Sequence, residues 1–257
     1  MAQEFIGSGK PISADGMRSA TERVRVGLPE MWAVLRVETK GCGFLPDRRP
    51  QILFERHIFH RETQGRFDTV APGVSDPQPG GYGAGGAHQY DRLAEAISLD
   101  PQAALRSASW GIGQVMGLHA QDLGYPDVGV MVQTMVDAED AQLDAMLRFI
   151  VHHNLDRAMQ QRDWTTFARG YNGAGFATNR YDEKLKEECA RLSAHGVPDR
   201  RVRTAQVYLM YRGFDPGPID GEIGNRTRGA LKQFQGHAGL PSTGEIDDAT
   251  LTHLGAS

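Results

Sequence analysis

Glu38, in the segment Val37-Glu38-Thr39-Lys40-Gly41-Cys42-Gly43-Phe44, is a carboxylate placed where a helix should end. A Gly-Cys-Gly breaker follows at once, and a helix C-terminus is the negative end of its dipole. Two effects should raise its pKa: that dipole, and desolvation by Trp32, Leu35 and Phe44, which are close in sequence. A carboxyl kept protonated near neutral pH is what a general acid needs to protonate a leaving glycosidic oxygen. The competing reading is a solvated glutamate at a frayed helix end.

Two further segments offer groups for holding a ligand. Ser109 to Gly117, SWGIGQVMG, has three glycines that permit close backbone approach, Trp110 as a stacking face and Gln114 as a polar amide. Its plainer reading is a helix start with a tryptophan in the core. Arg169 to Phe176, RGYNGAGF, puts Tyr171 and Asn172 at a helix end on a Gly-rich loop. The histidines argue against a metal. His57 and His60 lie at i, i+3, His152 and His153 are adjacent, and His88 and His119 are scattered, with no H-E-x-x-H and no Cys-rich set. Two liganding histidines would need a third ligand from afar, so neither a metal nor any other cofactor is expected.

The elements that must position these groups are mostly helical. Helices are expected over 14–26, with Ser13 or Asp15 as cap, and from Leu28, whose stripe of Leu28, Met31, Trp32 and Leu35 precedes the stop at Gly41 and Gly43. After Pro50 the run QILFERHIFHRE fits a helix or a strand-to-helix passage. The stretch 71–87 is dense in Pro and Gly and reads as a long loop, functional or mobile. Further helices are expected over 90–98, 101–106, 113–123, 130–153, 163–169 and 181–194. The first 195 residues thus read as one α-rich domain.

The tail differs, because it repeats itself. GEIGNRTRGAL from Gly221 and GEIDDATLTHL from Gly244 share Gly-Glu-Ile, a following Thr and a final Leu. Each reads as a Gly turn, an Asn or Asp cap and a helix; with a helix over 202–211 they make a small three-helix module. The expected architecture is therefore mainly α, with domains at 1–195 and 196–257. A net charge of -4 without a basic run gives no reason to expect nucleic acid. No apolar stretch is long enough to cross a membrane, no signal peptide is visible in MAQEFIGSGKPISADG, and Cys42 and Cys189 read as two buried free thiols.

Taken in order, a glutamate ending a helix, Gly-x-Gly-Gln-x-Met and Tyr-Asn-x-x-Gly resemble the lysozyme-like superfamily of goose-type lysozymes and lytic transglycosylases. The closer resemblance, over roughly Gly27 to Ser193, is to the N-acetylmuramidase family of phage endolysins, through the Glu38 segment, RPQILFERH and SWGIGQVMG. It implies a lysozyme-like catalytic domain in which Glu38 is the acid and Gln114 and Tyr171 line the saccharide groove; Trp110 and Asn172, in the same segments, are the further candidates for binding substrate. The tail is similar to the peptidoglycan-binding domain of many wall hydrolases, on its Asp-Gly-x-x-Gly turn, Thr, Phe-Gln helix end, Leu-Pro-x-Thr-Gly and Ala-Thr-Leu. That likeness implies wall binding through Asp220, Gly221, Thr227, Phe234 and Gln235. Endolysins of this family often carry the binding domain first; here it comes last.

Hydrolysis of a glycosidic bond normally takes two carboxylates, whereas lytic transglycosylases manage with one. Glu55 is the preferred second carboxylate, with Asp47 and Asp68 as others, and Glu55 can equally tie Arg56 or His57 into a structural network. The resemblance implies a monomer whose partner is bacterial peptidoglycan, without stable membrane association. It would be made in the host cytoplasm and released to the wall through a holin. The alternatives are a lytic transglycosylase, a zinc amidase or peptidase with the same tail, and a non-catalytic wall-binding protein.

Overall fold

The computed structural model describes residues 5–39 and 41–256, Ala174 through its backbone alone. Lys40 of the Glu38 segment and the first four residues read for a signal peptide lie outside the described residues. The chain forms two compact units: residues up to Gly9 with Gly43–His153, and Lys10–Cys42 with Asn154–Ser257.

In the first unit, β1 (Ile52–Phe54), β2 (Ala108–Trp110) and β3 (Val115–Met116) form an antiparallel sheet in the order β1-β2-β3. Ile52 pairs with Trp110, and Trp110 with Val115. The ambiguous run after Pro50 is the strand-to-helix passage, β1 followed by α3 (Arg56–Thr63). Around the sheet stand α4 (His88–Leu99), α5 (Pro101–Arg106), α6 (Val128–Met135) and α7 (Glu139–His152). Asp100 caps α5 by accepting from the Ala103 N–H, and Asp127 caps α6 by accepting from Val130. Phe54, Phe59, Leu93, Trp110, Met131 and Leu143 are fully buried and form much of the core.

Two expectations fail here. The helix expected over 113–123 is a β-turn-β hairpin followed by a 3-10 turn at Gly117–His119. The single helix expected over 130–153 is two helices, broken at 136–138, where no Pro or Gly announces the change.

The second unit is helical. It holds α1 (Ala14–Val24), α2 (Leu28–Glu38), α8 (Leu155–Gln161), α9 (Trp164–Asn172), α10 (Tyr181–His195), α11 (Arg200–Tyr211), α12 (Asn225–His237) and α13 (Asp248–Leu254). Ser13 caps α1 through a bond from Gly16 N at 2.9 Å. α2 is its central element, with Met31, Trp32, Ala33, Val34 and Leu35 all buried, and it packs mainly on α10. Both cysteines are buried and, among the described residues, outside any disulfide, as expected. The sequence boundary at 195/196 falls in the four residues between α10 and α11.

The repeat in the tail has a physical origin: one glutamine per repeat, on the preceding helix. Gln206 of α11 accepts from Gly221 N at 2.9 Å and donates to Glu222 O and Thr227 Oγ1 at 3.0 and 3.2 Å. Gln235 of α12 accepts from Gly244 N at 2.8 Å and donates to Glu245 O and Thr250 Oγ1 at 2.9 and 3.1 Å. Each turn bends at a glycine of positive φ, Gly221 (75°) and Gly244 (75°). Asp247 caps α13 as expected, but in the first repeat Gly224 holds the cap position and Asn225 is already helical.

Candidate active site

Glu38 closes α2, and its carboxylate is held from far along the chain. Asn172, the last residue of α9, donates from Nδ2 to Glu38 Oε1 at 3.0 Å. Gly173, with φ of 72°, ends α9 there and leaves the Asn172 side chain at the helix terminus. Tyr171 of α9, with Tyr181 and Lys184 of α10, feels or exerts charge on the same carboxylate. Burial raises the Glu38 carboxyl from the ordinary 4.5 to about 7, against the opposing pull of the Asn172 bond and the Lys184 charge. Desolvation was one of the two expected causes, but the polar neighbours that tune it come from α9 and α10. Phe44, expected beside Glu38, belongs to the first unit. Burial and the Glu38 charge raise the Tyr171 phenol far above its usual range, so it stays neutral, stacked on Phe167 with ring centroids 5.4 Å apart.

Glu55 lies in the first unit, between β1 and α3. It occupies the cap position of α3 without making a capping bond, so its carboxylate is free to face elsewhere. Its buried Oε2 lies 3.2 Å from His57 Nδ1, misaligned for a hydrogen bond, and has no other partner among the described residues. Tyr82 lies near this carboxylate: burial first, then the Glu55 charge, raises its phenol above the ordinary value. Tyr82 arrives on the Gly- and Pro-rich loop, which is tied down rather than loose. Gln89 Nε2 donates to Tyr82 O and Ala84 O at 2.8 and 2.7 Å, and Arg92 donates to Tyr82 O and Gly73 O at 3.1 and 2.9 Å. The other two candidate carboxylates are already engaged. Asp47 pairs with Arg49 at 2.6 Å, and Asp68 bonds His60 at 2.8 Å and accepts from the Ser75 hydroxyl at 2.5 Å.

The SWGIGQVMG segment is built for packing. Trp110 is wholly buried and its indole N–H bonds Leu105 O at 3.1 Å, so it is a core residue and not a stacking face. Gln114 accepts from Ser109 Oγ at 2.9 Å and donates to Gly111 O and Gln51 O at 2.8 and 3.2 Å, holding the β2–β3 turn. Its three glycines meet protein instead of a ligand: a Cβ on Gly111 would lie 2.6 Å from Gln142, on Gly113 2.6 Å from Met146 and on Gly117 2.2 Å from Leu105 O.

Comparison with known proteins matches most of the chain to two family models. Residues 27–193 match the family model described as N-acetylmuramidase, and residues 198–254 match that of a putative peptidoglycan binding domain. The crystal structure of Burkholderia AP3 phage endolysin is similar at 40% sequence identity and a TM-score of 0.68, over 72% of each chain. The chain belongs to the N-acetylmuramidase family. No curated protein gives a significant match.

As an N-acetylmuramidase with a peptidoglycan-binding domain, the protein is a peptidoglycan hydrolase, and its residues can be sorted accordingly. Thr227, Phe234 and Gln235 are buried inside the tail module, where they shape its two turns and core and present no surface to a ligand. Asp220 and Gly221 form the first turn, with Asp220 Oδ1 accepting from Glu222 N at 2.9 Å and from Gln206 Nε2 at 3.0 Å. Sequence reasoning missed Gln206, Tyr82, Tyr181 and Lys184. The only available signal was for Gln206, from the repeat that it and Gln235 enforce.

Proposed function

We propose that this N-acetylmuramidase is a phage endolysin that hydrolyses the β-1,4 bond between N-acetylmuramic acid and N-acetylglucosamine. The reading rests on one observation above all: a glutamate at the end of a buried helix, held by Asn172, with burial pushing the pKa of its carboxyl up to about 7. Glu38 transfers its proton to the leaving glycosidic oxygen as the C1–O bond breaks and the ring develops oxocarbenium character. Water attacks C1, and Glu55 takes the proton that water releases; its lack of a closed set of partners supports this role over Asp47 or Asp68. Asn172 aims Glu38, while Tyr171 stays neutral and lines the saccharide site; Gln114 holds the β2–β3 turn. Residues 1–195 act as the catalytic domain and 196–257 as the wall-binding domain of a monomer. The enzyme is made in the host cytoplasm and reaches the wall through a holin-made lesion.

Mass spectrometry of digested sacculi tests the reaction. Hydrolysis leaves reducing N-acetylmuramic acid, and an anhydro product would instead assign a lytic transglycosylase. Glu38→Gln and Glu55→Gln should each lower turnover by about 10²–10⁴-fold, the usual contribution of a general acid or base. Full activity in Glu55→Gln would remove Glu55 from the mechanism.

A further inference from the structure

The end of α2 is gripped by the tail module. Arg203, only 2% exposed in α11, donates from Nη2 to Gly41 O at 2.6 Å. Gly41 has φ of 87°, and a Cβ there would lie 2.6 Å from Ile219 O, so the backbone of the tail's first turn sits directly on this residue. Two residues before Glu38, Arg36 reaches the same turn, donating to Asp220 O at 3.1 Å and pairing with Glu222 at 3.1 Å. Arg36 also pairs with Glu188 of α10 at 2.7 Å, and Arg191 bridges Glu188 and Glu222 at 2.8 and 3.2 Å.

A buried guanidinium must be satisfied internally and cannot serve a wall polymer at the surface. Arg203 therefore directs one of its donors to the loop that follows Glu38. The network joins three elements: α2, which carries Glu38; α10, which carries Tyr181 and Lys184; and the tail turn at 219–222. A tether needs none of this, because raising local concentration requires only a linker.

We propose that the wall-binding module is a built-in brace of the catalytic site, in which Arg203 and the turn at 219–222 are positioning elements that fix the end of α2 and with it the Glu38 carboxylate. The proposal rests on the reading of Glu38 as the acid. Loosening the brace lets the carboxylate wander and lets water in, which returns its ionisation toward that of an ordinary glutamate.

The test uses the full chain and a soluble glycan hexasaccharide of alternating N-acetylglucosamine and N-acetylmuramic acid, on which tethering gives no advantage. Arg203→Lys and Glu222→Ala, singly and together, should keep binding to sacculi in a pull-down. They should lower kcat on the soluble glycan about tenfold, since small misplacement of a catalytic group is costly. KM should change little, and the basic limb of the pH profile should move to lower pH. Wild-type kcat and an unmoved basic limb, with loss only in clearing sacculi, would overturn the brace and leave a tether. Glu38→Gln run alongside separates the two failures. If it turns over soluble glycan like the wild type, the acid assignment fails; if it is inactive while the double variant behaves as wild type, only the brace fails.

Discussion

Glu38 is tuned by opposing effects of known sign, which makes its pH behaviour testable. Its carboxyl must be protonated to act as acid, so kcat/KM should fall above about pH 7. The Asn172 bond favours the ionised form. Asn172→Ala should therefore move that basic limb upward in pH, even as kcat falls from lost aim; a downward shift in the rate profile would sink the assignment. The same carboxyl links stability to pH. Its folded value of about 7 lies above the ordinary 4.5, so the stability it contributes is complete below 4.5 and is lost as pH rises through 7. The full effect is up to about 3 kcal/mol, because a tenfold change in a proton's affinity is worth about 1.36 kcal/mol. Glu38→Gln cannot ionise, so urea unfolding at pH 5 and pH 8 should show a smaller loss of stability for the variant than for the wild type. Parallel losses would mean that Glu38 is not strained in the folded state. At this scale the perturbed carboxyl of Glu38 was legible, because a carboxylate at a helix end is a local misfit. Asn172 as its partner was not, because 134 residues separate them.

Elements were legible where a local signal sets them and illegible where tertiary packing does. Ser13 and Asp247 cap the helices they precede, and their side chains announce the starts. The segment SWGIGQVMG misleads because its glycines serve neighbours that the sequence places elsewhere: Gly111 and Gly113 lie against α7, and Gly117 against the end of α5. With those contacts absent from view, a Gly-rich run with Trp and Met reads as a ligand loop or a helix start. The break between α6 and α7 has the same cause, for Gln142 of α7 bonds Ile112 N at 2.8 Å and Met135 O at 2.9 Å and sets the two helices apart. Gly117→Ala should be severe, since the new methyl would meet a backbone oxygen at 2.2 Å. A loss of about 2–4 kcal/mol is expected, read as a lower urea midpoint. A wild-type midpoint would mean that the contact between Gly117 and the end of α5 relaxes freely.

The second unit is organised around α2, which binds early and late parts of the chain into one compact body. That organisation could not be read from the tail's sequence, whose repeat is internally complete and looks like a separable bead. Its buried core is small, comprising Ala205, Leu209, Ala230, Leu231, Phe234 and Leu254 with partly buried neighbours. A module of this size is only marginally stable alone, and its contact with α2 supports both partners. Removing residues 196–257 should therefore do more than release a tether. It strips Arg203 from Gly41 O and leaves Arg36 without Asp220 O and Glu222. A buried hydrogen bond from a charged group contributes about 1.5–3 kcal/mol, which the truncated chain forfeits. For a remaining chain of this length, at about 2–4 °C per kcal/mol, that corresponds to a fall of about 3–12 °C in Tm. Calorimetry of the full chain and of residues 1–195 measures it directly. An unchanged Tm, together with unchanged turnover of soluble glycan, would show that the catalytic domain stands without the module and that the two are merely adjacent.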